Sequence, residues 1–252
     1  MLAEVSGTDA LLALVALVAG TVDAIGGGGG LLTVPALLAS GLPPHLALAT
    51  NKGQSVFGSA AALVRFSHAG LVPLRRARWT FPLAFLGALA GAQLLLWVRP
   101  EVLRPVVLVL LLAAGVGVLL RPRVRGGRAP SAAVLPAAAL ALGAGAYDGF
   151  FGPGTGTLLI VGLAGLLHLS LQHASAEAKA INFASNLGGM VLLAARGAVV
   201  WHTALPMAVG QLVGGWLGAH LTIRGGERVV RWVLLSVVAA LVLKLSLDLV
   251  RR

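Results

Sequence analysis

Six stretches of this chain, roughly 45–66, 79–98, 101–120, 175–195, 203–223 and 229–250, are mostly apolar. Each runs for about 20 residues, the length of a helix that crosses the roughly 30 Å hydrocarbon core of a bilayer. Within that core every backbone N–H and C=O must be satisfied by the protein itself, which leaves helices or closed barrels. Barrel strands alternate in polarity over about ten residues, and these stretches do not. The expected fold class is therefore an all-α polytopic membrane protein, multi-pass in the plasma (inner) membrane. Composition agrees: 58% of residues are hydrophobic, 11% are charged and the mean hydropathy is +0.94, whereas soluble domains carry about a quarter charged residues. Two further apolar regions, 9–41 and 131–169, are each interrupted by glycines. They are expected to form re-entrant or broken helix pairs.

The net charge of +11 would point to nucleic acid in a soluble protein. Here the arginines lie in short loops such as LRRAR at 74–78 and RPRVRGGR at 121–128. That is the positive-inside pattern, so the lipid bilayer is expected as a partner and nucleic acid is not. The chain has no cysteine, which excludes disulfides and thiolate metal sites. Its start, MLAEVSGTD, lacks the basic residues of a signal peptide, so the N-terminal segment is expected to belong to the fold.

The order of features recurs. DAIGGGGGLLTVP at 23–35 precedes ATNKGQSVFGSAAALVRFSHAGLV, and YDGFFGPGTGTLL precedes AEAKAINFASNLGGMVLLAARGAVV. A shift of 127 superposes Lys52 on Lys179, Ser55 on Asn182, Ser59 on Asn186 and Gly70 on Gly197, while the glycine runs need 126. The reading is an N-terminal repeat (1–120), an Arg-rich cytoplasmic linker (121–130) and a C-terminal repeat (131–252). Each repeat has a glycine-interrupted helix pair and three full transmembrane helices. Placing loops 65–78 and 121–128 in the cytoplasm puts residue 45 outside and its counterpart near 170–178 inside. Each half then crosses an odd number of times, and the two repeats have inverted topology. Loop 224–231, with Arg224, Arg228 and Arg231, falls inside; Arg251 and Arg252 fall outside, against the rule. Inverted repeats with glycine-interrupted segments point to a secondary transporter whose site lies near the bilayer midplane.

Five consecutive glycines, Gly26 to Gly30, suit no regular helix, since each costs about 1 kcal/mol there. The arm LLTVPALLAS that follows is about 15 Å long as a helix, half of the hydrocarbon core. A hairpin with its tip deep in the membrane would expose backbone N–H groups at Gly27, Gly28, Gly29 and Gly30, and a helix N-terminus is an anion site. Gly152, Gly154 and Gly156 repeat the device, with Thr155 and Thr157 adding hydroxyls. Close helix packing is the plainer reading of glycines, and it is the expectation for Gly87, Gly91, Gly214, Gly215 and Gly218. Lys52, Ser55 and Ser59 share one helix face, as do Lys179, Asn182 and Asn186. Together they offer ammonium, hydroxyl and amide donors to a small oxyanion. Snorkelling lysines, asparagines bonded across helices and caps at Thr50 and Asn51 are the plainer alternatives. Asp23 and Asp148 immediately precede the breaks, where each would carry a coupling proton or pair with a lysine. No histidine spacing suggests a metal site, and no nucleophile elbow or phosphate loop is present. Neither a catalytic residue nor a cofactor is expected.

GTVDAIGGGGGLLTVPALLASGLPPHLALATNKGQS and its counterpart, GAYDGFFGPGTGTLL followed by AKAINFASNLGGMVLLAARGAVVW, resemble the TauE/SafE family of membrane permeases over nearly the whole chain. The resemblance implies transport of sulfur-containing anions such as sulfite, sulfoacetate or other organosulfonates. By motif position it implies a substrate site at Gly27 to Gly30, Thr50, Asn51, Lys52, Gly152, Gly154, Gly156, Lys179, Asn182 and Asn186. Pro153 and Thr155 break the symmetry of the second glycine run and leave open whether both tips contact substrate equally. Export is the expected direction, because an inside-negative potential drives an anion outward. An anion channel, a membrane-embedded enzyme and a scaffold are the alternatives, and the sequence leaves a homodimer open.

Overall fold

The computed structural model describes residues 7–99, 101–103, 105–107, 109–110 and 134–250. The elements are α1 (Gly7–Gly26), α2 (Gly30–Ala39), α3 (Pro44–His68), α4 (Leu74–Trp97), helical residues among 101–110, α5 (Val134–Phe150), α6 (Thr155–Leu167), α7 (Leu171–Ala195) and α8 (Trp201–Val250). Gly226 (φ 56, ψ −148) breaks α8 in two. No strand occurs among the described residues. The expected linker 121–130 and most of the expected span 101–120 lie outside them.

Both glycine-interrupted regions are hairpins. Leu37 of α2 shares a packed cluster with Leu12 and Ala16 of α1, so α2 runs back along α1. Likewise Ala164 and Leu167 of α6 pack in one core with Ala137 and Ala141 of α5. The 10 residues of α2 cover about 15 Å, too short to span alone. Asp23 and Asp148 are 125 positions apart, as are the starts of α2 and α6, whereas the glycine runs alone suggest 126. The extra length of the second half enters later, between the start of α6 and that of α7, which includes the longer α6.

Glycine decides how closely the helices approach. Gly210, Gly214 and Gly218 of α8 lie on the backbone of α1 at Ala13, Leu17 and Thr21. Gly87 and Gly91 of α4 lie on α5 at Leu142 and Ala146. A Cβ at any of them would collide with a carbonyl oxygen, the close small-residue packing that replaces a hydrophobic drive in lipid. The opening helix of each half thus packs on the fourth helix of the other half.

Two described helices, Gly7–Gly26 and Leu74–Trp97, are long and apolar enough to cross a membrane. The second matches the expected span 79–98; the first is the leading arm of a hairpin. Helices α3 and α7, 25 residues each, fall short on apolarity for a structural reason. They bury Thr50, Asn51, Lys52, Gln54 and Ser59, and Ser175, Glu177, Lys179, Asn182, Ser185 and Asn186. Their polar faces turn to the interior, where the two helices pack on each other.

Candidate functional site

The two hairpin tips touch. A Cβ on Gly27 (φ 72) would overlap the backbone of Gly156 and Thr157, so both conformation and space require glycine there. Thr157 Oγ1 donates to Gly26 O at 3.1 Å, and Ser175 Oγ donates to Ala24 O at 3.0 Å and Ile25 O at 2.9 Å. Tyr147 OH donates to Pro153 O at 2.9 Å. The carbonyls freed by the breaks are thus taken up by neighbouring side chains, as buried irregular backbone demands.

Above this contact lies a pocket walled by the glycines of both tips (Gly28, Gly29, Gly30, Gly152, Gly154, Gly156), by Asn51, Lys52 and Ser55 of α3, and by Asn182 and Asn186 of α7. Asp23, Asp148 and Gln211 complete it. The N-termini of α2 and α6 therefore open on one space, and the faces predicted for α3 and α7 meet across it.

Neither lysine snorkels. Lys52 is 1% exposed and Lys179 is 0% exposed. Each pairs with the aspartate of the other half: Lys52 Nζ lies 2.8 Å from Asp148 Oδ1, and Lys179 Nζ lies 2.6 Å from Asp23 Oδ2. The environments of the two aspartates differ. Asp148 is 2% exposed and accepts a second bond from Ser185 Oγ at 2.6 Å. The Asp23 side chain is 22% exposed, and its Oδ1 accepts from Gly29 N–H at 3.1 Å, at the start of α2. Asp23 thus occupies the place an anion takes at a helix N-terminus.

Amide orientation follows from hydrogen bonding. Asn51 Oδ1 accepts from Thr33 Oγ1 at 2.6 Å and Gln54 Nε2 at 2.8 Å, which turns its NH2 to the pocket. Asn186 Oδ1 faces Lys52 Nζ at 3.5 Å while its NH2 donates to Asn182 O at 2.9 Å.

Several predicted residues lie outside the pocket wall. Thr50 is fully buried and accepts from Val200 N–H at 3.1 Å. Ser59 bonds back to Ser55 O at 2.9 Å. Thr155 donates to Gly152 O at 2.7 Å, and Thr157 to Gly26, so the second tip faces the pocket with backbone rather than hydroxyls. Gly27 is buried in the contact between tips, and Lys179 reaches the pocket through Asp23. Sequence reasoning missed Gln211, which is 3% exposed. Its counterpart at a shift of 127 is Ala84, so a search for doubled polar residues passes over it. A polar residue isolated in an apolar, glycine-rich run was the available signal. Also missed was the buried fork in which Arg76 Nε and Nη2 donate to Glu177 at 2.8 and 2.6 Å.

A helical bundle that hides a charged pocket between touching helix breaks suits a membrane transporter, and the relatives of the chain give that class. The chain matches the family model described as Sulfite exporter TauE/SafE over residues 12–245, and it belongs to that family. It is 38% identical over 240 residues to the probable membrane transporter protein YfcA of Escherichia coli K12, covering 94% of this chain and 89% of that protein. It is 35% identical over 245 residues to the probable membrane transporter protein ORF9 of a Sinorhizobium species, covering 95% and 92%. A probable membrane transporter protein of Haemophilus influenzae is 35% identical over 224 residues, covering 88% of each. No solved structure matches the chain.

Proposed function

We propose that the protein is a secondary transporter of small anions, with sulfite or an organosulfonate such as sulfoacetate as substrate and export as the direction. The observation that carries this is Asp23. A carboxylate is already held by a helix N-terminus and a buried ammonium group, a donor set that stabilises negative charge. A substrate oxyanion would bind by taking over those donors, together with the free NH2 of Asn51, the amide of Asn182 and the N–H groups of the second tip. Both lysines are neutralised in pairs, so entry of an anion requires a carboxylate to give way. Asp23 is the better placed to do so, because it is exposed to the pocket while Asp148 is enclosed by Lys52 and Ser185. Protonation of Asp23 would free Lys179 and couple a proton to the anion.

The reciprocal pairing of Lys52 with Asp148 and of Lys179 with Asp23 supports two inverted-topology repeats related by a twofold axis in the membrane plane. On this reading α1–α2 enters from outside, α5–α6 enters from the cytoplasm, and the tips meet near the midplane. Thermal shift of the detergent-purified protein with sulfite, sulfoacetate, sulfate and thiosulfate tests the site. Stabilisation by one of these anions, lost in Lys179→Ala, is the expected result; no shift with any of them refutes the anion reading. Saturable counterflow in proteoliposomes distinguishes a transporter from a channel.

A further inference from the structure

The two ends of the bundle differ in how firmly they are tied, and the difference falls on matched positions. At one end, Gln172 in the first turn of α7 donates through Nε2 to Thr222 O and Ile223 O, both at 3.2 Å. These are carbonyls just before the Gly226 break of α8. One turn along, Glu177 forms its buried fork with Arg76 at the start of α4. At the other end the residues that match at a shift of 127 are His45 for Gln172, Leu95 and Leu96 for Thr222 and Ile223, and Thr50 for Glu177. There Thr50 makes one neutral bond to Val200 N–H. His45 Nδ1 is buried and has no hydrogen-bond partner among the described residues. Between His45 and the end of α4 lies a cavity of about 130 Å³, lined by Leu95, Leu96, Val98, Leu193 and Ala198.

An unpaired buried polar atom is costly and needs a reason. Of the carbonyls at the end of α4, Leu95 O accepts from Val98 N–H at 3.3 Å, while Leu96 O would look for its helical bond to Pro100, which has no N–H; they occupy the position that Gln172 ties at the opposite end. We propose that His45 is the latch of the opposite state of the bundle: when the Arg76–Glu177 end opens, the cavity closes and His45 donates to the carbonyl of Leu96. The present conformation is then tied at the Arg76–Glu177 end and slack at the His45 end. Alternating access exchanges the two arrangements. This inference rests on the transport reading, but its central test needs no substrate.

The chain has no native cysteine, so single cysteines report each end directly. Ala198→Cys lines the cavity, and Ile223→Cys marks the tied end; both are labelled with a maleimide in detergent. Glu177→Gln, which weakens the fork, should slow labelling at position 198 and speed it at 223, each severalfold. Adding His45→Ala should reverse both changes, whereas His45→Gln, which supplies the donor used at the other end, should not. The charge-exchanged pair Arg76→Glu with Glu177→Arg should restore the original labelling, and it serves where Glu177→Gln folds poorly. Faster labelling at both ends at once, or no effect of His45→Ala, would overturn the latch. Counterflow slowed severalfold by His45→Ala and retained by His45→Gln would support it. If labelling shifts as stated but no anion is carried, the anion reading fails and the latch stands.

Discussion

Removing Lys52 separates a structural role of the ion pairs from a role in binding. Lys52→Met leaves the Asp148 carboxylate 2% exposed, with Ser185 Oγ as its remaining partner at 2.6 Å. Breaking a buried pair in this way costs about 3–5 kcal/mol, or about 6–20 °C in melting temperature at roughly 2–4 °C per kcal/mol. Lys179→Met strands a different carboxylate. Asp23 is 22% exposed and keeps the Gly29 N–H at 3.1 Å, so the loss should be about 1–2 kcal/mol. The double variant Lys52→Met with Asp148→Leu replaces the pair with apolar bulk and should return to within about 1 kcal/mol of the parent. Melting of the detergent-purified variants, followed by tryptophan fluorescence, measures all three. Equal losses for the two lysine variants would refute the argument from exposure, and a double variant no more stable than Lys52→Met would refute the argument from stranded charge.

Further outcomes follow from the same geometry. Asp23→Asn should bind the substrate anion more tightly than the parent and abolish proton uptake on binding, measured by calorimetry in buffers of differing ionisation enthalpy, whereas Asp148→Asn should retain the uptake in whatever binding remains. Gly27→Ala should cost far more stability than Gly41→Ala: both have positive φ, for which the left-handed conformation costs roughly 1–2 kcal/mol, but a Cβ at Gly27 strikes the backbone of Gly156 and Thr157 while Gly41 faces open space. Gly91→Val should force α4 away from Ala146 O and lower the yield of folded protein on size-exclusion chromatography.

Much of the site is legible in the sequence because it is doubled. A shift of 127 sets Lys52 on Lys179, Ser55 on Asn182 and Ser59 on Asn186, and most of these residues line one pocket. Residues whose counterpart is of a different chemical kind escape. Gln211 matches Ala84, Arg76 matches Thr203, and Glu177 matches Thr50, so periodicity and repetition are silent about them. The threonines mislead for another reason. Thr155 and Thr157 stand at the start of a helix, where a hydroxyl serves either a ligand or the adjacent backbone, and the carbonyls of Gly152 and Gly26 claim them.

The sequence by itself determined that the chain is helical, because only helices satisfy the backbone across so many long apolar stretches that lack strand alternation. It determined where those helices break, since Gly26 to Gly30 and the run from Gly152 to Gly156 carry a conformational cost that a regular helix avoids. Which charges meet was decided in three dimensions. Asp23 and Lys179 are separated by more than half the chain, and so are the tips at Gly27 and Thr157. They come together because glycines on α4 and α8 let the opening helix of each half lie against the other half at backbone distance. That packing also left one aspartate open to the pocket and enclosed the other, a difference between two identical side chains that local sequence does not encode.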